Sequence, residues 1–166
     1  MMHLVIVPGS FDPMTLGHRE LVLAAASRAE RVVVAVMNNA AKEYLFSMEE
    51  RMEIAKRTLK DLPSVSVIGD SGMLIDLFDR LQADAVIKSY RNEEDLRYEE
   101  DMAEWNRAHN PRFFTVLIKA TGELSSLSST QVRDAMATGK DFSAWVHPDA
   151  YELIAATFSE NGRCEK

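Results

Sequence analysis

The sequence predicts an α/β fold with a mainly parallel, five-stranded sheet and helices on both faces. Two observations carry this. Short β-branched runs alternate with stretches of helical periodicity along the 166 residues, and strands that alternate with helices are joined by right-handed crossovers that leave neighbouring strands parallel. The helical stretches also carry their own start and stop signals, which fixes where the strands can begin.

The elements follow in order. Residues 4–7, Leu-Val-Ile-Val, read as a buried strand that stops at Pro8-Gly9. A helix is expected over 17–29, with Leu21, Ala24, Ala25 and Arg28 at helical spacing. Residues 31–37 form the second strand. Ser47-Met48-Glu49-Glu50 is a capping box that opens a helix to about residue 59. The third strand covers 65–68, a short helix 73–81, and the fourth strand 85–87. A longer helix over 93–109 is ended by Asn110-Pro111, because the residue before proline is pushed out of helical conformation. The fifth strand is expected at 113–118. Ser128 or Ser129 caps a helix to about Thr138, with Gly139 as its stop, and a helix over 149–158 closes the fold. Nothing repeats and no linker divides the chain, so residues 1–158 are expected to form one domain and 159–166 a polar tail.

Composition narrows the function. The chain is 46% hydrophobic and 27% charged, which excludes a disordered polymer. Its 19 Lys and Arg against 26 Asp and Glu give a net charge of −7. Non-specific binding to nucleic acid or to an anionic membrane rests on clustered cations, so neither partner is expected. The single cysteine, Cys164, supports neither a disulfide framework nor a cysteine zinc site, and suits a reducing cytoplasm. The apolar start lacks a basic leader and is too short for a signal peptide, and no apolar run approaches the roughly 20 residues of a membrane span. His3, His109 and His147 show no ligand spacing, and no protein-built metal site is expected.

Ligands of open α/β sheets sit beyond the carboxyl ends of the strands. After the first strand comes Pro8-Gly9-Ser10-Phe11-Asp12-Pro13, then Thr15-Leu16-Gly17-His18 where a helix opens. Backbone N–H groups and the helix dipole favour an anion there, and imidazole can donate to it. A lone Gly-His at this place is otherwise a turn with a satisfied histidine. In the same way Lys42 alone is a solvated loop lysine, and the acidic run from Glu93 to Asp101 a solvated helix face.

The whole block, however, resembles the HxGH nucleotidyltransferase superfamily, in the variant with Thr15 at the first histidine position. More narrowly it is similar to the bacterial phosphopantetheine adenylyltransferases, in length and in motif order over nearly the whole chain. The glycine spacings of the dinucleotide fingerprint and of the Walker loop are both missing. Asn38-Asn39-Ala40-Ala41-Lys42 followed by Phe46-Ser47-Met48-Glu49-Glu50-Arg51 resembles the family's lysine loop and helix start. After the fourth strand the family's Arg-Gly-Leu-Arg appears as Lys88-Ser89-Tyr90-Arg91. Asp95-Leu96-x-Tyr98-Glu99 and Asn106-Arg107 resemble later motifs, and Leu124-Ser125-Ser126-Leu127-Ser128-Ser129-Thr130 the family's last phosphate loop.

The resemblance implies a Rossmann-like sheet in the order 3-2-1-4-5. It implies transfer of AMP from ATP to 4′-phosphopantetheine, giving dephospho-coenzyme A and pyrophosphate, with Mg²⁺ and a homohexameric assembly. It makes His18 and Lys42 the catalytic residues. ATP is expected to meet Ser10, Phe11, His18, Ser89, Tyr90, Arg91, Glu99 and the loop Leu124, Ser125, Ser126, Leu127, Ser128, Ser129 and Thr130. Phosphopantetheine is expected at Ser10, Lys42, Ile75 and Lys88. The departure at Lys88-Ser89 exchanges a planar phosphate fork for a point charge and a glycine for a serine. It leaves open a relative that uses another phosphate acceptor, such as nicotinate mononucleotide or glycerol phosphate. A nucleotide-binding protein with weak catalysis is the other alternative, opposed by intact His18, Lys42 and Arg91.

Overall fold

The computed structural model describes residues 1–160; Cys164 and most of the expected tail lie outside them. The elements are β1 (Met2–Gly9), α1 (Leu16–Ala26), β2 (Ala29–Met37), α2 (Met48–Thr58), β3 (Val65–Asp70), α3 (Leu74–Leu81), β4 (Ala85–Tyr90), α4 (Glu93–His109), β5 (Thr115–Lys119), α5 (Ser129–Thr138), a short 3₁₀ turn (Ser143–Trp145) and α6 (Pro148–Glu160). All strand pairs are parallel and the order is β3-β2-β1-β4-β5, as the resemblance implied.

The two-residue period of a strand divides the core between the two faces of the sheet. Val5, Val7, Val32, Val34, Val36, Ala85 and Ile87 point to one face and pack with residues of α1, α2, α5 and α6. Leu4, Ile6, Val33, Ala35 and Val86 point to the other and pack with Leu77 and Phe78 of α3 and with Phe113. Both faces are covered, so the central strands are apolar throughout. Among the described residues no helix is long and apolar enough to cross a membrane.

Local boundaries differ from the sequence expectation. Strand β1 starts at Met2 and is not stopped by Pro8-Gly9, which pair with Ala35 and Val36 of β2, and β3 continues to Asp70 by pairing with Met37. Four further limits move for physical reasons. Helix α1 ends at Ala26, not at residue 29: Ser27 closes it, and the Met2 N–H donates to the Arg28 carbonyl, so Ala29 already pairs in β2 opposite Met2. Arg28 therefore does not belong to the helical stripe. Strand β5 starts at Thr115, because the Asn110 side chain accepts from the Arg112 N–H and holds the chain in a turn after Pro111. Phe113 still contributes to the core, its ring 4.8 Å from that of Phe78. Strand β4 continues to Tyr90, since Lys88, Ser89 and Tyr90 pair with Leu117, Ile118 and Lys119. Helix α6 runs two residues past the expected limit, to Glu160, so Ser159 and Glu160 are helix and not tail. At its start His147 Nδ1 accepts from the Asp149 N–H at 3.1 Å, a capping role the sequence did not suggest.

Candidate active site

Chain connections leave β1 and β4, which are neighbours, toward opposite sides of the sheet. Open α/β sheets form their crevice at such a switch point. The turn after β1 closes one side of it. A Cβ on Gly9 would stand 2.8 Å from the Phe11 ring, so glycine is what lets that ring fold back into the core. Phe11 sits at φ +48° and meets the His18 imidazole edge-on, with ring centroids 5.1 Å apart.

The first turn of α1 holds His18 in a capping box. The Thr15 hydroxyl oxygen accepts from the His18 N–H at 3.3 Å, and His18 Nδ1 accepts from the Thr15 N–H at 2.9 Å. A backbone N–H cannot accept, so Nδ1 is the unprotonated nitrogen and the neutral ring carries its proton on Nε2. Burial lowers the His18 pKa from 6.5 to about 4. The result is a neutral imidazole with one fixed N–H donor. In consequence, activity is expected to show no ionisation of His18 across roughly pH 6–9. The sign for stability follows from linkage. Between the unfolded value of 6.5 and the folded value of about 4 the unfolded chain binds a proton that the folded chain does not. Stability therefore falls as pH drops through this window. In His18→Gln, which keeps an acceptor in the capping box, that slope is expected to flatten in urea melts taken across the window. An NMR titration that places the His18 midpoint near its ordinary value would contradict both statements.

A cavity of about 380 Å³ opens beside this helix start. Gly17 and His18 line it from α1, Ser89 from β4, Arg91 just beyond, Asp95, Tyr98 and Glu99 from α4, and Leu124, Ser125, Leu127, Ser128 and Ser129 from the loop before α5. It continues into a cleft of about 200 Å³ between α1 and β5, lined by Leu21, Ala24, Ile118, Lys119, Ala120 and Thr121 among others. Glycine at position 17 has a steric cause: a Cβ there would come within 3.3 Å of the Leu124 carbonyl oxygen. Ser128 caps α5 in a reciprocal box with Gln131, and the Ser129 hydroxyl donates to the Pro13 carbonyl at 2.8 Å. That bond ties the start of α5 to the turn after β1.

On the other face of the sheet lies a narrower, mostly apolar cavity of about 170 Å³. Met73, Leu74 and Ile75 wall it at the start of α3, Met102, Trp105 and Asn106 on α4, with Phe113 and Lys88. Strand alternation explains the split: Lys88 follows Val86 to the α4 side, and Ser89 follows Ala85 and Ile87 to the α1 side. Glu99 lines both cavities. Its Oε2 lies 2.7 Å from Lys88 Nζ, an ion pair whose alignment falls short of a directed hydrogen bond. One turn earlier on α4, Asp95 accepts from Arg91 Nε at 3.2 Å. Two carboxylates four residues apart thus hold one cation within β4, Lys88, and one just after it, Arg91.

The expected site residues therefore divide. His18, Ser89, Arg91, Glu99, Leu124, Ser125, Leu127, Ser128 and Ser129 meet around one cavity, and Ile75 with Lys88 around the other. Phe11 is buried in the core, so only its backbone faces the turn. Tyr90 ends β4 outside these two linings. Ser126 and Thr130 are exposed outside them too, and the Thr130 hydroxyl accepts from Arg133. Ser10, on the turn after β1, and the exposed Lys42, on the loop after β2, line neither cavity. The loop's end is fastened by Asp12, whose carboxylate accepts from the Leu45 and Phe46 N–H groups at 2.8 and 3.0 Å.

Sequence reasoning missed Lys119, Ala120 and Thr121, although the rule that ligands sit past strand ends points to them at the close of β5. It also missed Met102 and Trp105, and placed Asn106 in a motif without giving it a site role. Together with Glu99 they follow helical spacing on one face of α4, a signal hidden by the charged residues between them.

Residues 6–135 match the model of the cytidylyltransferase-like family. A phosphopantetheine adenylyltransferase of Flavobacterium psychrophilum is 39% identical over 152 residues, which cover 92% of this chain and 99% of that protein. Another, from Limosilactobacillus reuteri, is 35% identical over 96% of this chain and 92% of its own length. A third, from Hahella chejuensis, is 35% identical over 95% and 98%. Among solved structures, one from Vibrio parahaemolyticus superposes with a TM-score of 0.70 at 18% identity over 93% of this chain and 99% of that one. A bifunctional NMN adenylyltransferase/ADP ribose pyrophosphatase from Francisella tularensis gives 0.73 at 13% identity; this chain spans 99% of itself but 52% of that protein. At such identities these two speak for the fold alone. With relatives matched end to end and the family's motifs gathered at one sheet edge, the chain belongs to the cytidylyltransferase-like nucleotidyltransferases, in the phosphopantetheine adenylyltransferase family.

Proposed function

We propose that the protein transfers AMP from ATP to 4′-phosphopantetheine, forming dephospho-coenzyme A and pyrophosphate. The observation that carries this reading is the pair of adjoining cavities. One is polar and rimmed by helix starts, His18 and Arg91, which suits a nucleoside triphosphate. The other is small and mostly apolar with one lysine, Lys88, in its lining, which suits an acceptor whose phosphate sits on a long, weakly polar arm. Glu99 stands between them.

A phosphate oxygen of phosphopantetheine attacks the α-phosphorus of ATP, and the bond to the bridging oxygen of pyrophosphate breaks in line with it. The attacking oxygen is already anionic at neutral pH, so no protein base is needed. Catalysis reduces to aligning two polyanions and stabilising charge on the α-phosphate. The Nε2–H of neutral His18 serves that charge. Arg91, Ser89 and the loop from Leu124 to Thr130 hold ATP, with the backbone of Phe11, the end of β4 at Tyr90, and Glu99. Ser10, Lys42 and Lys88 serve the acceptor phosphate, and Ile75 its arm. Mg²⁺ brought in with ATP would neutralise charge on the phosphates. Among the described residues no three His, Cys, Asp or Glu side chains converge on one point, and an ion held by phosphates and water asks for none. A cytoplasmic homohexamer is part of the same reading, and sedimentation analysis measures the assembly directly.

Pyrophosphate release with ATP and phosphopantetheine, against nicotinate mononucleotide and glycerol phosphate as acceptors, tests the function. Faster turnover with either of the latter overturns the acceptor assignment.

Lys88 gives a more local test. It is paired with Glu99 before any phosphate arrives, and an ammonium grips phosphate at one point only. Lys88→Arg is expected to keep or tighten phosphopantetheine binding, by about 1 kcal/mol on the scale of one hydrogen bond. Lys88→Ala is expected to raise KM for phosphopantetheine and not for ATP; unchanged KM for both would remove Lys88 from the site. Ser89→Gly is expected to leave activity unaltered. Ser89 pairs with Ile118 inside β4, and Phe11 and Gln82 are the non-glycine residues with positive φ among the described ones. Serine therefore costs nothing where the family has glycine.

A further inference from the structure

We propose that Arg51 is a positioning residue for the acceptor-phosphate end of the site: its guanidinium fastens the Ser10 carbonyl and both ends of the loop that carries Lys42 to one rigid point. The inference rests on the reading that Ser10 and Lys42 serve the acceptor phosphate.

Arg51 lies in the first half of α2 and is 1% exposed, the largest fully buried side chain among the described residues. A buried guanidinium is costly unless its donors are all used. Here the donors do not go to a carboxylate fork. Nε donates to the Phe46 carbonyl at 3.1 Å, Nη1 to the Ser10 carbonyl at 2.9 Å and to the Met37 carbonyl at 3.2 Å, and Nη2 to Asn38 Oδ1. Met37 and Asn38 stand where the loop leaves β2, and Phe46 where it enters α2. Ser10 stands on the turn after β1. One planar group thus joins three chain segments that are distant in sequence.

Inside the loop the same residue supports a second layer. The guanidinium carbon sits 4.1 Å from the centroid of the Tyr44 ring, a cation–π contact. The Tyr44 hydroxyl accepts from the Asn39 N–H at 2.7 Å, and the Lys42 N–H donates to the Asn39 carbonyl at 2.9 Å. Asp12 takes the neighbouring N–H groups of Leu45 and Phe46. Its charge is the nearby anion that offsets the burial of Arg51, whose pKa desolvation pulls down and Asp12 pulls up. A lysine at position 51 keeps the charge but has no planar fork to bridge Ser10, Met37 and Asn38 together.

The test is a double-mutant cycle between position 51 and Lys42. Arg51→Lys is expected to lower kcat/KM for phosphopantetheine about tenfold or more, because misplacement by about 1 Å can cost as much as 10²-fold. The Kd for ATP, read by calorimetry, is expected to stay within about twofold. Adding Lys42→Ala to Arg51→Lys is then expected to cost far less than Lys42→Ala costs alone, since a displaced lysine has little left to lose. Independent, multiplicative losses would overturn the proposal and leave Arg51 as a stabilising residue only. Equal damage to ATP and phosphopantetheine binding would overturn it as well. Should Arg51→Lys fail to fold, Asn38→Ala removes one arm of the fork and enters the same cycle with the same expectation. If Lys42→Ala alone leaves phosphopantetheine kinetics untouched, it is the assignment of Lys42 that fails, before Arg51 is considered.

Discussion

Replacing His18 with alanine is expected to lower kcat by about 10²–10³, the usual loss when one donor to a transition-state charge is removed. The fold is expected to survive. The Thr15 hydroxyl still accepts from the backbone N–H of residue 18, and the Thr15 N–H loses a partner worth about 1 kcal/mol. Because the imidazole is neutral, KM for ATP is expected to change little: its hydrogen bond strengthens as charge builds on the α-phosphate and adds little in the ground state. His18→Gln separates the two roles. Glutamine at the third helical position restores the capping box but places its amide donor differently, so stability should recover while turnover does not. Pyrophosphate release and thermal melting decide the matter together. Near-normal turnover in a folded His18→Ala protein would take His18 out of the chemistry.

The contrast between what the sequence revealed and what it concealed is physical. Helix limits at Ser47, His109 and Gly139 were readable because a capping box, an Asn-Pro step and a left-handed glycine at φ +72° are local events. The length of β4 was not readable. Lys88, Ser89 and Tyr90 are polar or aromatic residues that become strand only because β5 lies beside them, and pairing across 29 residues leaves no local mark. The same difference runs through the site. His18 was identifiable from a contiguous motif, and its neighbours in that motif are its neighbours in space. The apolar cavity draws on α3, β4, α4, the turn before β5 and the first residue of β5, segments without a shared motif. Its residues Met102 and Trp105 remain exposed on a charged helix, and only the fold brings Lys88 and Ile75 into one lining with them. The resemblance supplied Ile75 and Lys88 one by one; the packing of α4 on β4 is what makes them one wall. Arg51 shows the reverse case. It stood in plain view at the end of a motif, yet a charged residue on a helix is ordinarily solvated, and only the folded chain places four acceptors around it.

Lys42→Ala is expected to lower kcat/KM for phosphopantetheine by about 10-fold to 10²-fold, the range set by one charge-assisted bond to phosphate. The structure gives a reason for Lys42 to be the freest of the expected phosphate cations. Lys88 is engaged by Glu99 and Arg91 by Asp95, so a phosphate that approaches either must compete with a carboxylate already in place. Lys42 is exposed on its loop, and no ion pair to it occurs among the described residues. Its ammonium meets an incoming phosphate without first giving up a partner. Two consequences follow. The substitution is expected to leave the melting temperature unchanged, because the side chain is exposed and no ion pair of it is lost among the described residues. It is also expected to leave ATP affinity largely intact, since the cavity proposed for the triphosphate is lined by other residues. Calorimetry with each substrate separately gives the answer: loss of phosphopantetheine binding with ATP binding retained fits the assignment. Collapse of ATP affinity with phosphopantetheine binding retained reverses it, placing Lys42 on the leaving pyrophosphate.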